Sequence, residues 1–285
     1  MAAKTPQLAQ RIKKTLRQMI LSPYRAFKVL CFSIGFAVLT VSVALIFYGY
    51  AFYRSTADLG RYTFANLQSL AQKRTANHQL DRKWHGKWFP ISAVSRDFIY
   101  SVVMSEDATF FEHDGINFNA IVSSMAENLR ERKAAYGGST ISQQVVKNLF
   151  LDNEKSVSRK LREIIITRGL EKYFSKNQIL ELYLNIAELG PDIYGVGVAS
   201  EHYFKKLPSE INAAEGAFVA SLLPSPKRYY YSVVENRNLT FARRKRINRV
   251  LRDMMVQEYI SQSQYRSYSH FDFLGKVNRA PARSR

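Results

Sequence analysis

The chain has 285 residues, 46% of them hydrophobic, and a formal net charge of +19. That length and apolar content exclude a wholly disordered chain and leave room for one sizeable core plus an anchor. So positive a charge requires anionic surroundings, either nucleic acid or lipid head groups, and the absence of a Walker loop, a His-Glu-x-x-His run or a dinucleotide fingerprint argues against ATP-driven, zinc and NAD enzymes.

Residues 1–28 carry Lys4, Arg11, Lys13, Lys14, Arg17, Arg25 and Lys28 with no acid, whereas Arg54 and Arg61 on the far side of the next segment are offset by Asp58. This asymmetry predicts a cytoplasmic N-terminus. Val29 to Tyr53 is uncharged, and at ~1.5 Å per helical residue it is long enough for the ~30 Å hydrocarbon core. A cleaved signal peptide is the competing reading, but Gly49-Tyr50-Ala51-Phe52-Tyr53-Arg54 makes a poor small-x-small site. Tyr48, Tyr50 and Tyr53 suit the head-group level, and Cys31, the only cysteine, lies inside the anchor, so the folded part has neither disulfide nor thiolate metal site. Residues 54–90 read as a juxtamembrane stalk holding Trp84 and Trp88.

A compact, mainly α domain is expected from 91 to 231. Apolar residues recur at helical spacing in Phe98 to Met104, Ile116 to Leu129, Ile141 to Leu151, Val157 to Leu170, Gln178 to Ala187 and Ala213 to Leu223. Thr140-x-x-Gln143 and Ser175-x-x-Gln178 have capping-box form, and Gly115, Gly169 and Gly190 mark helix ends. Residues 232–285 form a basic C-terminal extension whose Arg243-Arg244-Lys245-Arg246 run predicts a solvated or membrane-facing helix rather than a nucleic-acid arm, with a frayed end from Lys276.

Three groups of residues have chemical potential. Following Gly137-Gly138, a helix places Thr140, Gln144, Lys147 and Asn148 on one stripe, where amide groups and an ammonium suit an anionic phosphate; a solvated face is the plain alternative. Glu106, Phe110 and His113 stand at i, i+4 and i+7 of a presumed helix, so the aromatic ring desolvates the carboxylate toward general-base use, although a surface Glu and a core His would look the same. Arg159 and Glu163 at i and i+4 form at least a surface ion pair, and Glu106 with Glu163 makes the carboxylate pair that glycosyl transfer employs.

Taken in order, these runs, with Ile179-Leu180-Glu181-Leu182-Tyr183-Leu184-Asn185 and Gly216 to Pro226, resemble the peptidoglycan glycosyltransferases of family 51 in their single-domain, membrane-anchored biosynthetic form. The family also supplies the transglycosylase domain of penicillin-binding proteins. The resemblance covers about Ile91 to Tyr231 and implies a lysozyme-like helical glycosyltransferase domain. It implies polymerisation of lipid II onto a lipid-linked glycan at the outer face of the bacterial inner membrane, with inversion at the donor and release of undecaprenyl pyrophosphate. Glu106 is then the general base and Glu163 the second acid, with Lys147 and Arg159 at the pyrophosphate and Asp107, Phe110, His113, Thr140, Gln144 and Asn148 shaping the cleft. A divalent cation, magnesium or manganese, is the cofactor that the resemblance allows, with no organic cofactor; cell-wall synthesis proteins and the membrane are the expected partners, and nucleic acid is not. Thr109 departs from the arginine or lysine frequent in the first motif. Neither Ser-x-x-Lys nor Lys-Thr-Gly occurs, so cross-linking activity is not expected. The alternatives are a lysozyme-like lytic enzyme and a non-enzymatic cell-wall scaffold.

Overall fold

A computed structural model describes residues 5–56, 58–76, 84, 86–131, 138–152 and 156–277. Gly137 and the end of the basic tail therefore lie outside the described residues. The chain divides into two compact units, Met1–Thr56 and Ala57–Arg285.

The first unit is one helix, α1 (Thr5–Arg54). The basic flank and the apolar stretch, expected as separate segments, form one rod, since the lysines, arginines and glutamines of the flank are good helix formers. Phe32, Leu39, Ile46 and their apolar neighbours are exposed. A helix of this kind satisfies its backbone internally and presents apolar side chains outward, which is consistent with a membrane anchor.

Among the described residues the second unit is helical apart from one short antiparallel hairpin, β1 (Glu188–Gly190) with β2 (Ile193–Tyr194). Its first half contains α2 (Phe64–Ala76), α3 (Arg96–Glu106), α4 (Phe118–Glu131), α5 (Ile141–Phe150), α6 (Val157–Tyr173) and α7 (Lys176–Ile186). After the hairpin come α8 (Gly195–Phe204), α9 (Ala213–Leu222), α10 (Pro226–Tyr229), α11 (Phe241–Val256), α12 (Gln262–Ser269) and α13 (Phe273–Lys276). Both expected capping boxes form, Thr140 with Gln143 and Ser175 with Gln178. Gly169 does not end a helix; it lies inside α6, with Leu59 at ordinary van der Waals distance from where a Cβ would stand.

Two helical layers make the core. In one, α3 packs along α9 and α11 packs on both, burying Phe98, Val102 and Val103 against Phe218, Val219, Ile247, Leu251 and Met254. In the other, α5 and α7 lie side by side, with α6 against α5 and α2 against α7.

Two expected boundaries are corrected by this packing. The segment read as a stalk belongs to the domain, because α2 buries Leu67 and Ala71 against α7. The segment read as a basic extension belongs to it as well, because the apolar stripe Ile247, Val250, Leu251 and Met254 outweighs the arginines around it and is fully buried.

Residues 88–91, a strap that leads toward α3, are fastened to α7 by polar side chains. Glu181 accepts from the Trp88 indole at 2.7 Å, from the Ile91 amide at 2.9 Å and from Gln68 at 3.3 Å. One helical turn on, Asn185 accepts from the Phe89 amide at 2.9 Å and donates to the Phe89 carbonyl at 2.8 Å. Glu181→Ala strands the Trp88 and Ile91 donors in a partly buried place, and a loss of roughly 2–4 kcal/mol is expected in denaturant unfolding of the detergent-solubilised chain. A loss within the error of the measurement would show that the strap is not part of the cooperative unit.

Candidate active site

Ser95 caps the start of α3, accepting from the Phe98 amide at 3.1 Å, and the helix ends where Asp107 turns out at φ −161°. Glu106 is thus the last residue of α3, at the negative end of its dipole. Its side chain is 12% exposed. Burial raises its pKa above the ordinary value, the Asp107 charge adds to the rise, and the Gln144 hydrogen bond, Arg246 and Lys147 oppose it. Gln144 Nε2 on α5 donates to Glu106 Oε2 at 2.9 Å, and the Tyr183 hydroxyl on α7 donates to Gln144 Oε1 at 3.3 Å. Burial pushes the Tyr183 phenol well above its usual range, so it remains a donor.

His113 reaches the cleft wall by a different route from the one expected, and Phe110 does not line it. Residues 108–114 are turns rather than a continuation of α3, because Asp107 prefers to bond elsewhere. Asp107 accepts from His113 Nε2 at 3.0 Å through one oxygen and from the Ile141 amide, at the start of α5, at 3.1 Å through the other. The Gly115 amide donates to His113 Nδ1 at 3.1 Å, which puts the ring proton on Nε2. Gly115 has φ +83°, and a Cβ there would meet Thr167 and Glu171 within 2.8 Å. Glycine therefore permits the tight return by which its carbonyl accepts from Thr140 Oγ1 at 2.6 Å. Phe110 is fully buried with the Lys176 ammonium 4.5 Å from its ring centre.

The third group lies on α6, packed on the other flank of α5. Glu163 is 3% exposed; one of its oxygens accepts from Arg159 at 3.1 Å and the other from Lys160. Lys160 also reaches Ser139 Oγ at 3.5 Å. Glu163 thus presents its two cations and is itself screened by them.

A cleft of about 500 Å³ opens between the end of α3, the 107–113 turns, the start of α4 and residues 138–140. Glu106, Asp107, His113 and Thr140 stand in its wall, together with Thr109, whose hydroxyl accepts from Asn117 at 2.7 Å. Gln144 touches Glu106, and Lys147, exposed on α5, is near enough to influence its charge. Among the described residues Lys147, Asn148, Arg159 and Glu163 are not in that wall; Ser139 links it to α6 through Lys160.

No group of three His, Cys, Asp or Glu side chains converges among the described residues.

A family model described as Transglycosylase matches residues 72–255. The chain belongs to the transglycosylase family. Two curated relatives carry the name biosynthetic peptidoglycan transglycosylase. The one from Nitrosomonas eutropha is 42% identical over 52% of this chain and 60% of its own length, and the one from Nitrosospira multiformis is 40% identical over 56% and 67%. The matched part therefore spans about three-fifths to two-thirds of these relatives. Penicillin-binding protein 1A from Haemophilus influenzae aligns at 25% identity over 50% of this chain and 17% of that one, with a TM-score of 0.30, too partial a superposition to define the fold. The family match extends past both expected domain boundaries, taking in the strap and most of α11.

Sequence reading missed Arg246, whose Nη2 is 3.9 Å from Glu106 Oε1, and gave no role to Lys160 or to Ser139 and Glu112, which line the cleft wall. A signal for Arg246 existed: it sits one turn before Val250, at the border of the buried stripe of α11.

Because the Glu106 pKa is raised, the folded state holds the proton more tightly than the unfolded chain, and ionisation costs stability as pH rises from ~4.5 through the raised value. Glu106→Gln removes that cost while its amide oxygen can still accept from Gln144. Its melting temperature at neutral pH is expected to equal or exceed that of the wild type, and a fall of several degrees would mean that the carboxylate stabilises the fold.

Proposed function

We propose that this chain polymerises lipid II into peptidoglycan glycan strands. The observation that carries the reading is a desolvated carboxylate, Glu106, held by Gln144 in a cleft wall with Lys147 close by. Such a carboxylate suits removal of the proton from an acceptor sugar hydroxyl, because its raised pKa makes it a stronger base than a surface glutamate. The attacking oxygen then displaces a diphosphate from the opposite face of the donor anomeric carbon, inverting it, and the bond to the undecaprenyl pyrophosphate breaks.

A diphosphate leaving group needs positive charge more than a proton. Lys147, Arg159 and Lys160 supply it from α5 and α6, and the buried Glu163 orients the latter two. Asp107 and His113 serve by tying the turn to the first amide of α5, which keeps Gln144 aimed at Glu106. The names of the curated relatives support the substrate class. The basic flank and apolar part of α1 support a single-pass anchor in the cytoplasmic membrane with the N-terminus inside, and the motif content supports glycan synthesis without cross-linking. A lytic role is the weaker reading, since hydrolysis of finished glycan has no diphosphate to stabilise.

Purified full-length chain supplied with labelled lipid II is expected to build polymer, with a rate that falls on the acid side as Glu106 takes up a proton, at a pH above the ordinary carboxylate range. Glu106→Gln is expected to lose ~10²–10⁴-fold. Lys147→Ala should lose turnover or donor binding with the fold intact. Release of anhydro-muropeptides from sacculi with no polymer from lipid II would replace this reading with the lytic one.

A further inference from the structure

Arg246 stands on α11, in the part of the chain where the sequence suggested only a basic surface. Its side chain is 30% exposed, with Nη2 3.9 Å from Glu106 Oε1 and 3.4 Å from Ser105 Oγ. The Ser105 hydroxyl donates to the Ala220 carbonyl of α9 at 3.1 Å, so a lone pair is what it offers the guanidinium. Arg243, one turn earlier, donates to the Ser221 carbonyl at 3.0 Å and lies 3.2 Å over the Tyr229 ring. These contacts fasten α11 to the ends of α3 and α9 and fix where the guanidinium sits.

The cleft wall includes Ser105 and Glu106 but not Arg246. The buried Arg246 Nε has no hydrogen-bond partner among the described residues, and an unpartnered buried donor costs stability. We propose that Arg246 is a positioning residue whose charge keeps the Glu106 carboxylate ionised, acting through Glu106 and not on the substrate. The proposal rests on Glu106 being the general base.

The charges facing Glu106 divide by element. From α5 come Gln144 and Lys147, from α7 Tyr183, from the following turn Asp107, and from α11 Arg246. Asp107 and burial oppose ionisation; Lys147 and Arg246 favour it. Lys147 is exposed, so water and salt screen it, whereas the partly buried guanidinium is screened less. Arg246 in turn faces Glu106 and Tyr229, which favour its charge, and Arg243 and Arg249, which oppose it. An arginine tolerates that environment without losing its proton, as a lysine would not.

The test is the titration of Glu106 itself, in full-length chain in micelles with ¹³C-carboxyl-labelled glutamate, the signal being assigned by its loss in Glu106→Gln. In Arg246→Gln the midpoint is expected to rise by about one pH unit or more. Ser105→Ala, which leaves the charge but frees the guanidinium from α3, should give a smaller rise and serves if Arg246→Gln folds poorly. An unchanged midpoint in both would overturn the proposal.

In lipid II polymerisation the acid limb of Arg246→Gln should move by the same amount, a loss of ~tenfold near the wild-type limb that recovers at higher pH. A loss independent of pH would overturn the proposal in favour of a direct or structural role. If the midpoint moves but wild type makes no polymer, the coupling of the two residues stands and the assignment of Glu106 as base in this reaction falls.

Discussion

The arrangement depends on one carboxylate that is held largely out of water beside several charged groups. Glu106 ends a helix whose dipole disfavours a negative group, sits largely out of solvent and has Asp107 as its neighbour. Each of these makes ionisation harder and the ionised form more basic. The opposing contributions come from Gln144, Lys147 and Arg246, on two helices separated by about a hundred residues of chain. Much of the packing, α3 against α9 and α11 on one side and α5 against α7 on the other, serves to bring those side chains to the same end of α3.

Helix α7 shows how one motif divides its work. Tyr183 faces inward and sets the Gln144 amide that meets Glu106, while Glu181 and Asn185 hold the strap at 88–91. Positions 181 and 185 share a face one turn apart, and 183 points elsewhere, as a 3.6-residue period requires. Residues that look like a single signature therefore serve the Glu106 environment on one face of the helix and domain integrity on the other.

The same economy appears around Asp107 and Glu163. Both are buried carboxylates whose oxygens are already taken, Asp107 by His113 and the first amide of α5, Glu163 by Arg159 and Lys160. Neither is placed to act as a free acid. Their charge instead orders a histidine ring, a helix start and two cations, which suits a member of the transglycosylase family whose leaving group, on the reading proposed above, is a diphosphate.

What the sequence determined by itself was local. The apolar spacing that placed α3, α5, α6, α7 and α9, the two capping boxes and the long uncharged run of α1 follow from short-range periodicity and from hydrogen bonds between residues three apart. Glu106, Asp107, His113, Thr140 and Gln144 were legible as a group because their motif order is distinctive. Only the tertiary structure decided that the 108–114 segment is turns, that α2 and α11 are core elements, and that Arg246 lies beside Glu106. Those outcomes depend on which buried face outweighs its charged neighbours and on contacts across more than a hundred residues, and neither quantity is a property of any one stretch of chain.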